Sequence, residues 1–97
     1  MIEPTVGRVV WYRPDSYDRA KMAVKDNDPL VGHVVAVWSS NMVSLAVFDA
    51  NGELHQRTSI VLRQPEDEAP DGAFCEWMPY QKGQAAKTEE LERQVRR

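Results

Sequence analysis

The sequence predicts a mainly β protein: a small antiparallel, SH3-like five-stranded barrel with a long first loop and a charged C-terminal tail. Three observations carry this expectation. Short runs rich in β-branched and aromatic residues recur along the chain, turn-forming residues separate them, and no convincing internal helix interrupts the series. An OB-fold would carry a helix between its third and fourth strands, where this chain has an Asn51-Gly52 turn. With 97 residues, 42% of them hydrophobic and 28% charged, the chain has material for one core. A barrel is expected over residues 1–80 and a frayed or helical tail over 81–97.

The first strand is "TVGRVVWY", whose alternation separates Val9 and Trp11 from Val10 and Tyr12; Val9 and Trp11 are assigned to the interior. "RPDSYDRAKMAVKDNDP" follows, opening on Arg13-Pro14-Asp15-Ser16 and closing on Asp26-Asn27-Asp28-Pro29, both strong turn signals. Between them lies either a short helix capped by Ser16 or Asp15, or a long ordered loop. "LVGHVVAVW" and "MVSLAVFDA" form the central hairpin. A three-residue loop, Ser39-Ser40-Asn41 with Asn41 left-handed, is the preferred connection. It sets Val35 and Val37 opposite Val43 and Leu45 on the core face, and Gly32 opposite Phe48 on the other, with Trp38 beside Met42. A two-residue loop would bring Trp38 to the core side instead.

Asn51-Gly52 then turns the chain into "ELHQRTSIVL", polar in its first half as a strand on a sheet edge would be. After the polar loop "RQPEDEAPDG" comes "AFCEWMPY", whose alternation points Cys75 and Trp77 inward. The rest, "QKGQAAKTEELERQVRR", pairs Glu89 with Arg93 and Glu92 with Arg96 at helical spacing, but Leu91 and Val95 are its only sizeable apolar anchors.

At "PTVGRVVWY", at "VSLAVFDANG" and at the Trp of "FCEWMPY", the chain resembles small accessory proteins of tailed bacteriophages and prophages, a group with no assigned activity. The resemblance covers residues 4–12 and 43–52 and, loosely, Trp77. It implies the cytoplasm of a bacterial host and a role such as modulating a host enzyme or defence system. It carries over no catalytic residue.

The residues themselves point to binding rather than catalysis. His33, His55 and Cys75 lack ligand-like or dyad-like spacing, the carboxylates Glu66-Asp67-Glu68 lie together in a polar loop, and no phosphate-cradling glycine motif occurs; no cofactor and no metal are expected. No apolar run approaches the ~20 residues of a membrane span, and the N-terminus lacks the basic and apolar regions of a signal peptide, so a cytoplasmic protein without membrane contact is expected. Tyr12, Arg13, Tyr17, Arg19 and Lys21 interleave aromatic and basic side chains in the first loop, a composition suited to a protein interface, and the resemblance implies that the partner is a host protein. The alternative is a nucleic acid or nucleotide on the same loop, which the net charge of -3 disfavours. Trp38, Met42 and Phe48, with Ala46, form an apolar outer face on the hairpin. Either "AFCEWMPY" folds back over that face or a second copy covers it in a homodimer.

Overall fold

In the computed structural model, which describes residues 1–95, the elements run β1 (Val9–Arg13), α1 (Ser16–Lys21), β2 (Leu30–Ser39), β3 (Met42–Phe48), β4 (Leu54–Arg63), β5 (Phe74–Glu76) and α2 (Pro79–Val95). The strands close into a barrel in the order β1-β2-β3-β4-β5. The barrel is mixed rather than antiparallel. β5 runs antiparallel to β1 but parallel to β4, because the 64–73 loop carries the chain back across the barrel before β5 starts. "AFCEWMPY" therefore does not fold over the hairpin: Phe74–Glu76 fills the seam between β1 and β4.

In β1 the inward phase is the reverse of the one expected. Val10 and Tyr12 are fully buried, while Val9 and Trp11 lie on the outer face and are only partly covered. Alternation divides a strand into two faces without saying which is inside, and the neighbours decide it here. Val10 faces Gly32 across the pair, and the Tyr12 hydroxyl finds a buried carboxylate in Asp18. A Cβ on Gly32 would come within 3.2 Å of Leu45 Cδ1, so this glycine lets the β2 backbone approach the core under Leu45. Gly32 is thus an inward position facing Val47, not an outer position beneath Phe48.

The hairpin turns on two residues, Ser40 and Asn41, with Ser39 paired to Met42. Asn41 is not left-handed; its amide instead donates to the Leu62 carbonyl at 3.2 Å and to Asp67 Oδ2 at 3.1 Å. Irregularities between Val34 and Ala36 and between Val37 and Ser39 shift the register along β2. The expected Val37–Val43 pair survives, but Leu45 faces Val34 rather than Val35, and Phe48 faces Val31. The core face of β2 is therefore Leu30, Gly32 and Val34, with Val35 and Val37 exposed. The same shifts keep Trp38 outside despite the two-residue turn.

The tail is helical and starts two residues before the expected boundary. Pro79 suits the first turn, where its missing N–H costs no hydrogen bond. Gln81 ties this turn to the barrel, accepting from the Met78 N–H and donating to the Val9 carbonyl, both at 2.8 Å. Beyond it α2 buries no residue, and the longest dimension of the molecule is 53 Å against 26 and 24 Å for the others. Arg93 pairs with Glu90 rather than Glu89, and the Glu92–Arg96 pair lies outside the described residues. No described helix is long and apolar enough to cross a membrane.

Candidate functional site at the barrel mouth

The first-loop helix is a capped single element set across one end of the barrel. Asp15 supplies the N-cap, its Oδ1 accepting the Asp18 N–H at 2.9 Å. That start turns Asp18 toward the barrel, where it is 4% exposed. Inside, Tyr12 donates its hydroxyl proton to Asp18 Oδ2, and Arg57 of β4 donates from Nη2 to Oδ1 at 2.9 Å and from Nε to Oδ2 at 3.3 Å. Burial alone would raise the Asp18 pKa, but the hydrogen bonds from Arg57 and Tyr12 and the guanidinium charge outweigh it, so the carboxyl stays below its usual range. Tyr12 moves the other way: burial, then the hydrogen bond to Asp18 and its charge, push the phenol well above its usual value.

A second polar pair sits beside the first. Asp49 opens the β3–β4 turn, and its Oδ1 accepts the N–H groups of Asn51 at 2.9 Å and Glu53 at 3.0 Å. Its Oδ2 meets His55 Nε2 at 2.9 Å and accepts the Ala23 N–H at 3.4 Å. The Asp49 carboxylate thus ties three stretches together: the turn, β4 and the segment leaving α1. The turn closes on Gly52 at φ +83°, as its Asn-Gly signal implies. The His55 hydrogen bond, opposed by burial and aided by the backbone N–H groups, holds the Asp49 carboxyl down to about 2. Asp49, Glu53 and His55 are close enough to share a metal ion, their ligand atoms lying within 4.8 Å of one another. With four donors already on its two oxygens, however, Asp49 has the arrangement of a turn clamp rather than an open ligand.

This carboxyl has a consequence for acid stability. A pKa below the unfolded value of ~3.9 stabilises the fold above that pH, and the contribution disappears as pH falls through the folded value. Asp49→Asn should therefore lower the urea midpoint at pH 6, and its gap to the parent should close as pH falls from 4 toward 2. A gap independent of pH would assign the effect to geometry instead of ionisation.

Between α1 and β4 runs an open groove of about 580 Å³, with Tyr17 and Lys21 on the helix side, His55 and Arg57 on the strand side, and Tyr12 and Asp18 also in its lining. Comparison with family models, curated proteins and solved structures finds no match for this chain. The groove must therefore be read from its own side chains.

Of the five loop residues expected at a partner surface, three line this groove and two do not. Tyr12 is fully buried, so it supports the surface from beneath rather than forming part of it. Arg13 lies elsewhere, over the Trp11 ring at 5.4 Å and paired with Glu76 at 2.8 Å. Arg19 donates to the Asp26 carbonyl at 3.0 Å. Tyr17 is 63% exposed, and the Lys21 ammonium lies 4.7 Å from its ring centroid. Of the outer-face residues, Trp38 and Phe48 are exposed and Met42 is partly buried.

Sequence reading missed Asp18, Asp49, His55 and Arg57 as a group. The polar first half of β4 lacks a β5 neighbour and so is an edge in part. Its alternate residues His55 and Arg57 nevertheless share the face of Val47 and Leu45 and reach the two aspartates. The available signal was the 55, 57 alternation of cationic types opposite an apolar strand. The Cys–His possibility has no geometric support: Cys75 is fully buried with its thiol pushed up to about 12 by burial, His55 is held by Asp49, and His33 packs edge-on against Phe48.

Proposed function

We propose that this chain is a binding module without catalytic activity, SH3-like in its barrel, acting by contact with a host protein through the α1 side of the barrel mouth. The observation that supports this reading is the exposed Tyr17–Lys21 pair on a helix anchored from beneath by the buried Tyr12–Asp18–Arg57 network. An aromatic and a cation already held in place lose little freedom on binding, which is where interface residues of these types gain their affinity. The phage resemblance makes the partner a bacterial protein and the setting the host cytoplasm. The nucleic-acid alternative is weaker for a specific reason: Arg13 and Arg19 are both engaged within the chain, which leaves fewer loop cations for phosphates.

The test is capture of partners from bacterial lysate on the immobilised full chain, with and without nuclease. Tyr17→Ala and Lys21→Ala should each weaken retention of the same protein about tenfold while changing chain stability by less than ~0.5 kcal/mol, as exposed substitutions do. Retention that vanishes with nuclease, or that neither substitution alters, would overturn this reading.

A further inference from the structure

The strand register draws a row of outward side chains across four strands: Trp11 on β1 faces Val31 on β2, Val31 faces Phe48 on β3, and Phe48 faces Leu54 on β4. The adjacent row runs Val9, His33, Ala46, Gln56. In a chain that is 28% charged, none of these eight positions carries Asp, Glu, Lys or Arg. Val31, Phe48 and Leu54 are 45%, 37% and 54% exposed, and Val35 continues the face along β2 at 53%. Apolar faces of this kind are uncommon on monomers. Arg13 lies over the Trp11 ring and His33 packs edge-on against Phe48, but Val31, Val35 and Leu54 keep about half of their surface exposed.

Two further features give the face polarity. At the far end of β2, Trp38 projects with 65% exposure, its indole N–H fixed to Ser44 Oγ at 3.0 Å. At the near end a hollow of about 250 Å³ opens beside Val31 and Phe48, its floor formed by Pro29 and Leu30 and its rim carrying Lys25, Asp28 and Asp49, the last already engaged by His55. From Val31 to Trp38 the strand spans about 20 Å, with Val35 near the middle. A knob and a hollow at opposite ends of one face meet reciprocally when a copy is rotated by 180° about the centre.

We propose that this face is a two-fold interface between two copies of the chain, with Trp38 of each copy seated in the hollow beside Val31 and Phe48 of the other and Val35 near the axis. The occupant is a second copy because the face meets the requirements of self-association. Its two strand rows carry no Asp, Glu, Lys or Arg to repel their own image, and it offers both halves of the fit. The proposal shares no residue with the α1 groove, so either reading can fail without the other.

Sedimentation of the full chain from 1 to 200 µM tests it, as order-of-magnitude concentrations for a modest interface. The parent should pass from one chain mass to two. Trp38→Ala should raise the dimer dissociation constant about tenfold or more. Val35→Glu, which sets two carboxylates across the axis, should leave a monomer, while Tyr17→Ala should change nothing. Circular dichroism checks that the variants fold, and the Trp38 indole resonance of the parent, expected to shift with concentration, needs no variant. A parent that stays monomeric throughout would leave the face to a different protein and overturn the proposal. A dimer indifferent to both Trp38→Ala and Val35→Glu would overturn it equally.

Discussion

Replacing Asp18 with alanine is expected to lower unfolding free energy by about 2–4 kcal/mol, a large share of the ~5–15 kcal/mol that holds a domain of this kind. The substitution removes a carboxylate that is 4% exposed and takes hydrogen bonds from Tyr12 and from two nitrogens of Arg57. What remains is a guanidinium facing the barrel interior without its counter-charge, and a buried phenol without its acceptor. The Arg57 side chain keeps 25% of its exposure, which places the loss below the top of the range for breaking a buried pair. The double variant D18L/R57M removes both charges together. It should recover the part of the loss owed to the stranded guanidinium, about half of it, while the buried Tyr12 hydroxyl still lacks its acceptor. Urea unfolding of parent, single and double variants decides the matter: a double variant no more stable than Asp18→Ala would show that the network's value lies in its attraction.

The same network separates what could be read from the chain from what could not. Strand existence was legible because β2, β3 and β4 carry strong β-formers between turn signals, and Asn51-Gly52 located its hairpin correctly. Closure into a barrel followed from the strand number and the lack of any long helical run between the strands, α1 being only six residues. The parallel β4–β5 pair was not legible, since a loop of polar residues and prolines does not record which way the chain re-enters the barrel. Register failed for a related reason. Two irregularities within β2 change the partner of every residue beyond them, and neither Val35 nor Trp38 announces a bulge.

At the site, residue types were easier to read than their roles. Tyr12, Arg13, Tyr17, Arg19 and Lys21 look alike in sequence as an aromatic and basic loop, yet each meets a different environment. Tyr12 is drawn inward by Asp18, Arg13 is taken by Glu76, and Arg19 by a carbonyl, so only Tyr17 and Lys21 stay together at the groove. Glu76 illustrates the converse. It shares the outer face with Trp11 but is 8% exposed, because Arg13, Arg63 and Lys82 close over it at 2.8, 3.6 and 3.9 Å. An outward acid can be buried when cations from three separate segments converge on it. Local spacing cannot foresee this.

Trp77 should show the second large effect, and its size depends on the replacement. At 1% exposure it is the largest fully buried side chain, and Trp77→Ala should cost about 3–5 kcal/mol through lost packing and the cavity left behind. Its indole N–H, however, has no acceptor among the described residues. A buried donor of this kind is a standing cost of about 1–3 kcal/mol, which phenylalanine would remove along with part of the packing. Trp77→Phe is therefore expected to lie within about 2 kcal/mol of the parent, far above the alanine variant. Fluorescence gives an independent check. Trp11 is partly covered and Trp38 is 65% exposed, so losing Trp77 should remove the bluest component of the emission. If the phenylalanine variant were as unstable as the alanine one, the indole N–H would have to be making a stabilising contact. Packing and polarity would then act together at the floor between the barrel and α2.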